Sequence, residues 1–197
     1  MPELTYYIGV TLDGFIAGPQ DEVDFLGLSE EFLGFLASEL ADTLPTPARA
    51  AFGVADAPLT RFDTVVMGRR TYDPALAEGL LDPYAHLRTV VVSRSLPAAS
   101  DPVEVTAEAP LDVVRRLKAD PSSRGVLLAG GGRLAGQVSA EIDRLVVKKY
   151  PVVVGDGLRM LDRAFAPEAF TLEQVRTFDN GCAVLEYART TLSPRDL

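Results

Sequence analysis

Three stretches of the chain put glycines, guanidinium groups and hydroxyls at the point where an apolar run ends. Val126-Leu127-Leu128-Ala129 empties into Gly130-Gly131-Gly132-Arg133. Consecutive glycines between a strand and a helix let backbone N–H groups and the helix dipole converge on an anion, and the missing side chains permit the close approach of a pyrophosphate. Thr64–Met67 runs in the same way into Gly68-Arg69-Arg70-Thr71, and Thr89–Val92 into Ser93-Arg94-Ser95. The planar fork of arginine can bind phosphate oxygens bidentately. Either arginine cluster alone reads as solvated strand-end residues. The set reads as one anion site, because α/β folds bind ligands at the carboxyl ends of neighbouring strands.

A carboxylate could serve beside that site. Asp24, in Glu22-Val23-Asp24-Phe25-Leu26, has apolar neighbours in the chain. Desolvation there would raise its pKa and suit it to hold or relay a proton, and a helix or turn cap is the equally weighted structural reading. Asp13 before Gly14, and Asp156 between Gly155 and Gly157, read as turn residues. His86 and Cys182 show no partner for nucleophilic catalysis. One cysteine and one histidine exclude an intramolecular disulfide, a cysteine-rich zinc site and poly-histidine metal ligation. Gly130, Gly132 and Ala135 also fit G-x-G-x-x-A, but that fingerprint normally opens its domain, so the match reflects shared physics and not the same fold.

An alternation of strands and helices must position these residues. Leu4–Val10 reads as the first strand, ending at Asp13-Gly14. Ser29 with Glu30 and Glu31 predicts a capped helix start, followed by Phe32, Leu33, Leu36 and Leu40 at helical spacing. Pro45, Pro47 and Pro58 mark residues 43–61 as a loop insertion or flap that could cover a substrate. Thr64–Met67, Thr89–Val92 and Val126–Ala129 are continuous apolar runs, the pattern of strands buried on both faces. Leu111–Lys118 is an amphipathic helix, with Leu111, Val114 and Leu117 on one side, and another helix is expected from the triple glycine to about Ser139. Leu145–Val154 is strand-like with a break at Pro151. Phe170–Phe178 and Cys182–Ala188 flank Asn180-Gly181, a hairpin signal. The expected fold is α/β: a mainly parallel central sheet flanked by helices, finished by an antiparallel hairpin, in a single domain over residues 1–197.

Hydrophobic residues make up 47% of the chain and the net charge is -9. Such acidity gives no footprint for a nucleic-acid backbone, so an anionic ligand must be held by a local site. The start MPELTYYIGV lacks a basic n-region and no apolar run reaches a membrane span, so neither a signal peptide nor membrane association is expected and the protein reads as cytoplasmic.

Asp63–Tyr72, Val90–Arg94, Val126–Arg133 and Asp143–Val147 occur in the order found in dihydrofolate reductases. Gly9-Val-Thr-Leu-Asp-Gly-Phe-Ile-Ala17 resembles more closely the reductase domain at the C-terminus of the bifunctional riboflavin-biosynthesis deaminase-reductase, and the free-standing proteins similar to it. The resemblance runs from about Leu4 to Tyr187. It implies a dihydrofolate reductase-like fold, NADPH as cofactor, and hydride transfer to a pyrimidine- or pteridine-type heterocycle, best matched by 5-amino-6-(5-phosphoribosylamino)uracil reduction. It also implies that Gly68, Arg69, Arg70 and Thr71 would hold the cofactor's pyrophosphate and, through Arg69, its 2′-phosphate. Ser93 and Arg94 would flank that 2′-phosphate, while Gly131, Gly132, Arg133 and Leu134 would cradle the pyrophosphate from the other side. Backbone at Gly9 and Ile16 would meet the nicotinamide carboxamide, and Asp24 aligns across a gap with the family's active-site carboxylate. A homodimer is implied in the same way.

The chain departs from dihydrofolate reductases in having no Trp to lie over the nicotinamide. Leu87 stands where those enzymes bind the folate glutamate with an arginine, and Arg88 follows one residue later. Both departures count against folate, leaving dihydrofolate reduction and a non-catalytic NADPH-binding module as alternatives. The sequence shows no obvious second basic site for a substrate phosphate.

Overall fold

The computed structural model describes residues 1–190. In chain order the elements are β1 (Leu4–Val10), β2 (Phe15–Ala17), α1 (Glu30–Glu39), α2 (Thr46–Ala51), β3 (Thr64–Gly68), α3 (Arg69–Ala77), β4 (Arg88–Val92), β5 (Glu104–Thr106), α4 (Pro110–Lys118), β6 (Val126–Leu128), α5 (Gly132–Gln137), β7 (Arg144–Lys149), β8 (Leu158–Arg159), β9 (Phe170–Thr177) and β10 (Ala183–Arg189). Eight strands form one sheet in the order β5-β4-β3-β6-β1-β7-β10-β9, and β2 pairs separately with β8. From β5 to β7 neighbouring strands run parallel, whereas β10 and β9 are antiparallel, as the Asn180-Gly181 turn predicts.

Successive residues of a strand go to opposite faces of the sheet. Tyr7, Val65, Met67, Val91 and Leu127 pack on the face covered by α1, with its buried Phe32, Phe35 and Leu36. Leu4, Tyr6, Val66, Val90, Val126 and Leu128 pack on the other, against Val113, Val114 and Leu117 of α4 and Leu134 and Ala135 of α5. Cover on both faces is why these strands read as unbroken apolar runs. Ser29 caps α1 by accepting the Phe32 N–H, and Phe32 then packs edge-on against Phe178 and Tyr150.

Residues 43–61 hold a short helix within the expected loop. Pro45 and Pro47 start α2 instead of marking a loop, because proline is tolerated in the first turn of a helix. The buried Asp42 carboxylate pins the far end, accepting from the backbone N–H of Thr60 at 2.8 Å, Arg61 at 2.6 Å and Phe62 at 3.1 Å. Arg49, also buried, lies 3.9 Å from Asp42 and donates to the carbonyls of Ala55 and Ala57. Arg61 and Phe62 lead into the amino end of β3, so this stretch sits at the opposite end of the sheet from the glycine junctions and does not cover them.

Two further expectations shift. β7 stops at Lys149, short of Val154, since Pro151 has no N–H to continue a ladder. β5 adds an edge strand of three residues, too short to leave a pattern in the sequence. Among the described residues no helix is long and apolar enough to cross a membrane.

Candidate active site

Two helices start at the carboxyl ends of adjacent strands, α3 after β3 and α5 after β6. Their N-caps are Gly68 and Gly131, and neither supplies a side-chain acceptor to the first N–H groups, whereas α1 has Ser29. The opening N–H groups are thus without helical partners, and both dipoles put partial positive charge at one place. The two starts touch. A Cβ on Gly68 would stand 3.9 Å from the Leu134 side chain, and one on Gly130 would stand 3.6 Å from Thr71 Oγ1. A Cβ on Gly131 would lie 3.9 Å from that same oxygen and 4.0 Å from Ile16 Cδ1. Gly130 adopts φ +114°, a conformation that L side chains rarely accept. Gly132 differs from its neighbours: a Cβ there would meet the Arg159 carbonyl oxygen at 1.9 Å. Its bareness lets α5 pack on the β8 backbone, so at this one position the small residue serves packing and not ligand approach.

The guanidinium groups divide. Arg69 Nη1 donates to Ser95 Oγ at 2.7 Å, while its Nε faces the Asp73 carboxylate at 3.2 Å, so the ends of β3 and β4 are joined. The Ser93 hydroxyl accepts from the N–H of Ser95 and of Leu96 and shapes the turn, leaving Ser95 as the hydroxyl that faces Arg69. Arg94 and Arg133 are exposed and form no ion pair among the described residues. Arg70 is instead paired with Asp21 at 2.6 Å, latching the turn after β2 to α3. Arg88 is engaged by Glu104, which also takes Arg116. Burial alone would raise the Glu104 carboxyl, but hydrogen bonds from the two arginines outweigh it and hold it below the usual range.

Gly9 of β1 lies between two side chains: a Cβ there would be 3.1 Å from the Tyr150 ring and 3.6 Å from Leu26. Asp24 is exposed, and the apolar surroundings expected of it are absent. Residues 24–26 form a turn and bend between irregular flanks with no repeating buried face, so Leu26 folds inward while Val23 stays 54% exposed. Asp13 is a turn pin, as expected. It accepts from the Thr11 hydroxyl at 2.6 Å and from the N–H groups of Val154 and Gly155, and the Thr11 bond above all holds its carboxyl below the usual range. His86 is structural: Nε2 donates to the Asp42 carbonyl, which leaves Nδ1 to accept from the Thr46 hydroxyl at 2.8 Å. Cys182 is buried and free. One residue absent from the sequence reading stands beside Gly9 in register, Lys148 of β7. Its signal was the Lys148-Lys149 pair, since adjacent strand residues must face opposite sides.

The geometry can hold a polyanion at the meeting of α3 and α5. No curated protein matches the chain in sequence. Solved structures show the same fold. A protein assigned to riboflavin biosynthesis from Shewanella sp. PV-4 is 19% identical with a TM-score of 0.68, over 95% of this chain and 99% of that one. A pyrimidine reductase-like protein from Corynebacterium diphtheriae is 14% identical with a TM-score of 0.64, over 97% and 93%. A diaminohydroxyphosphoribosylaminopyrimidine deaminase/5-amino-6-(5-phosphoribosylamino)uracil reductase from Thermotoga maritima is 15% identical with a TM-score of 0.64, and the match covers 96% of this chain but 57% of that longer one. The family model of the RibD C-terminal domain matches residues 2–184. With nearly its whole length matched, the chain belongs to the RibD C-terminal domain family.

Proposed function

We propose that this chain is an NADPH-dependent reductase of a pyrimidine-type heterocycle in riboflavin biosynthesis, acting on 5-amino-6-(5-phosphoribosylamino)uracil or a close relative. The observation that carries this reading is the meeting of two glycine-started helices at Thr71, Gly130 and Gly131, beside the Arg69–Ser95 pair and the exposed Arg94 and Arg133, which form no ion pair among the described residues. That donor set fits NADPH. Gly68, Arg69 and Thr71, with Gly131–Leu134, would take the pyrophosphate, and Arg69, Arg94 and the Ser93–Ser95 turn would take the 2′-phosphate. When bound, the cofactor supplies a hydride to the acceptor.

The protein's own contribution is mostly positional. Backbone at Gly9 and Ile16 would orient the nicotinamide, Arg70 holds the adjacent turn through Asp21, and the proton comes from water or from solvent-exposed Asp24. Membership of the RibD C-terminal domain family and the reductase named in the Thermotoga relative support the activity. Folate fits less well, because Leu87 is buried and Arg88 is engaged by Glu104. A cytoplasmic homodimer without nucleic-acid or membrane partners completes the proposal. Isothermal titration with NADPH and then NADH tests it: micromolar binding with a preference for NADPH is expected, and no binding to either overturns the reading.

A further inference from the structure

We infer that Lys148 recognises an anionic oxygen of the acceptor, a role that rests on the reductase reading above. The register of β7 sets Lys148 between Gly9 of β1 and Val184 of β10. Its side chain lies on the α1 face, where Nζ stands 3.9 Å from the centroid of the Tyr7 ring. Lys149 is otherwise committed, donating to the carbonyls of Thr11 at 2.8 Å and Leu12 at 3.1 Å. Half-buried Lys148 has no carboxylate or carbonyl partner among the described residues, and the negative face of the Tyr7 ring is what holds it.

Its surroundings are aromatic. Gly9 contributes no side chain next to the ammonium, and the Tyr150 ring and Leu26 close over it, 3.1 Å and 3.6 Å from where a Cβ would stand. Tyr7 and Tyr150 are 9% and 3% exposed, and Tyr84 is half-buried. None of the three hydroxyls bonds to the protein among the described residues. Burial above all, with Tyr7 nearby adding, raises the Tyr84 and Tyr150 phenols, which therefore stay neutral donors. Aromatic edges bearing neutral donors, with one cation lacking a counter-charge, match a planar ring that carries an oxyanion. A partly desolvated ammonium is unfavourable unpaired, and an arriving anion relieves that cost.

The oxyanion belongs either to a ring substituent or to a phosphate ester, and two probe pairs separate these sources. Orotate is compared with uracil, and ribose 5-phosphate with ribose, each titrated into the NADPH-loaded full chain. The anionic member of one pair is expected to bind about tenfold tighter than its neutral partner, or more. Lys148→Met should erase that difference and Lys148→Arg should keep most of it, with NADPH affinity unchanged in both. If methionine disturbs the fold, Lys148→Gln repeats the comparison. Equal binding of anionic and neutral probes by the wild type, or a preference that survives in Lys148→Met, overturns the role of Lys148 while NADPH binding keeps the reductase reading intact. A wild-type chain that binds no NADPH overturns both.

Discussion

Arg69 reaches across from the first turn of α3 to Ser95 beyond β4, a 2.7 Å hydrogen bond between two strand ends that are neighbours in the sheet and far apart in the chain. Its Nε is turned back to Asp73 on its own helix. Both contacts are exposed, so each adds little to stability. Their effect is to orient one guanidinium at the end of β4, toward the residue that follows Arg94 in the chain.

Arg69→Ala is therefore expected to weaken NADPH binding by about ten- to a hundredfold, the range for a lost hydrogen bond to a charged group. NADH, which lacks the 2′-phosphate, should be affected little. Paired titrations of wild type and variant provide the check, and an equal loss for both cofactors would remove Arg69 from 2′-phosphate recognition.

Adjacent glycines should behave in opposite ways. Gly131 has φ -100° and room for a Cβ, so Gly131→Ala should keep its melting temperature while losing cofactor affinity, its methyl intruding between Thr71 and Ile16. Gly132→Ala forces a Cβ onto the Arg159 carbonyl and should lose about 1–3 kcal/mol of stability, read by thermal or urea unfolding. A stable Gly132→Ala protein would mean that α5 can lift off β8 at little cost.

His86 is the one histidine, which makes its pH signature easy to isolate. Burial, aided by the charge of Arg49, lowers its folded pKa below that of the unfolded ring. The unfolded chain then binds the proton more readily, so the contribution of His86 to stability is full above about pH 6.5 and is lost as pH falls through the folded value. Melting temperature should drop between about pH 7 and pH 5 in the wild type, and less steeply in His86→Gln. An identical slope in the variant would place the titration elsewhere.

Much of this molecule was legible in the chain because its signals are local. The Gly68-Arg69 and Gly130–Gly132 junctions, the Ser29 cap and the Asn180-Gly181 hairpin each depend on the conformational preferences of a few consecutive residues, and the structure places each where those preferences predict. The side-chain partners depend on sheet order, which chain order does not reveal. Asp21 takes Arg70 from the proposed phosphate group, Glu104 takes Arg88, and the Arg159 carbonyl explains Gly132. Asp24 lost its apolar setting because neighbours in a turn share no buried face. Lys148 stands out only through the pairing of β7 with β1, since its lack of a counter-charge among the described residues is set by the tertiary structure.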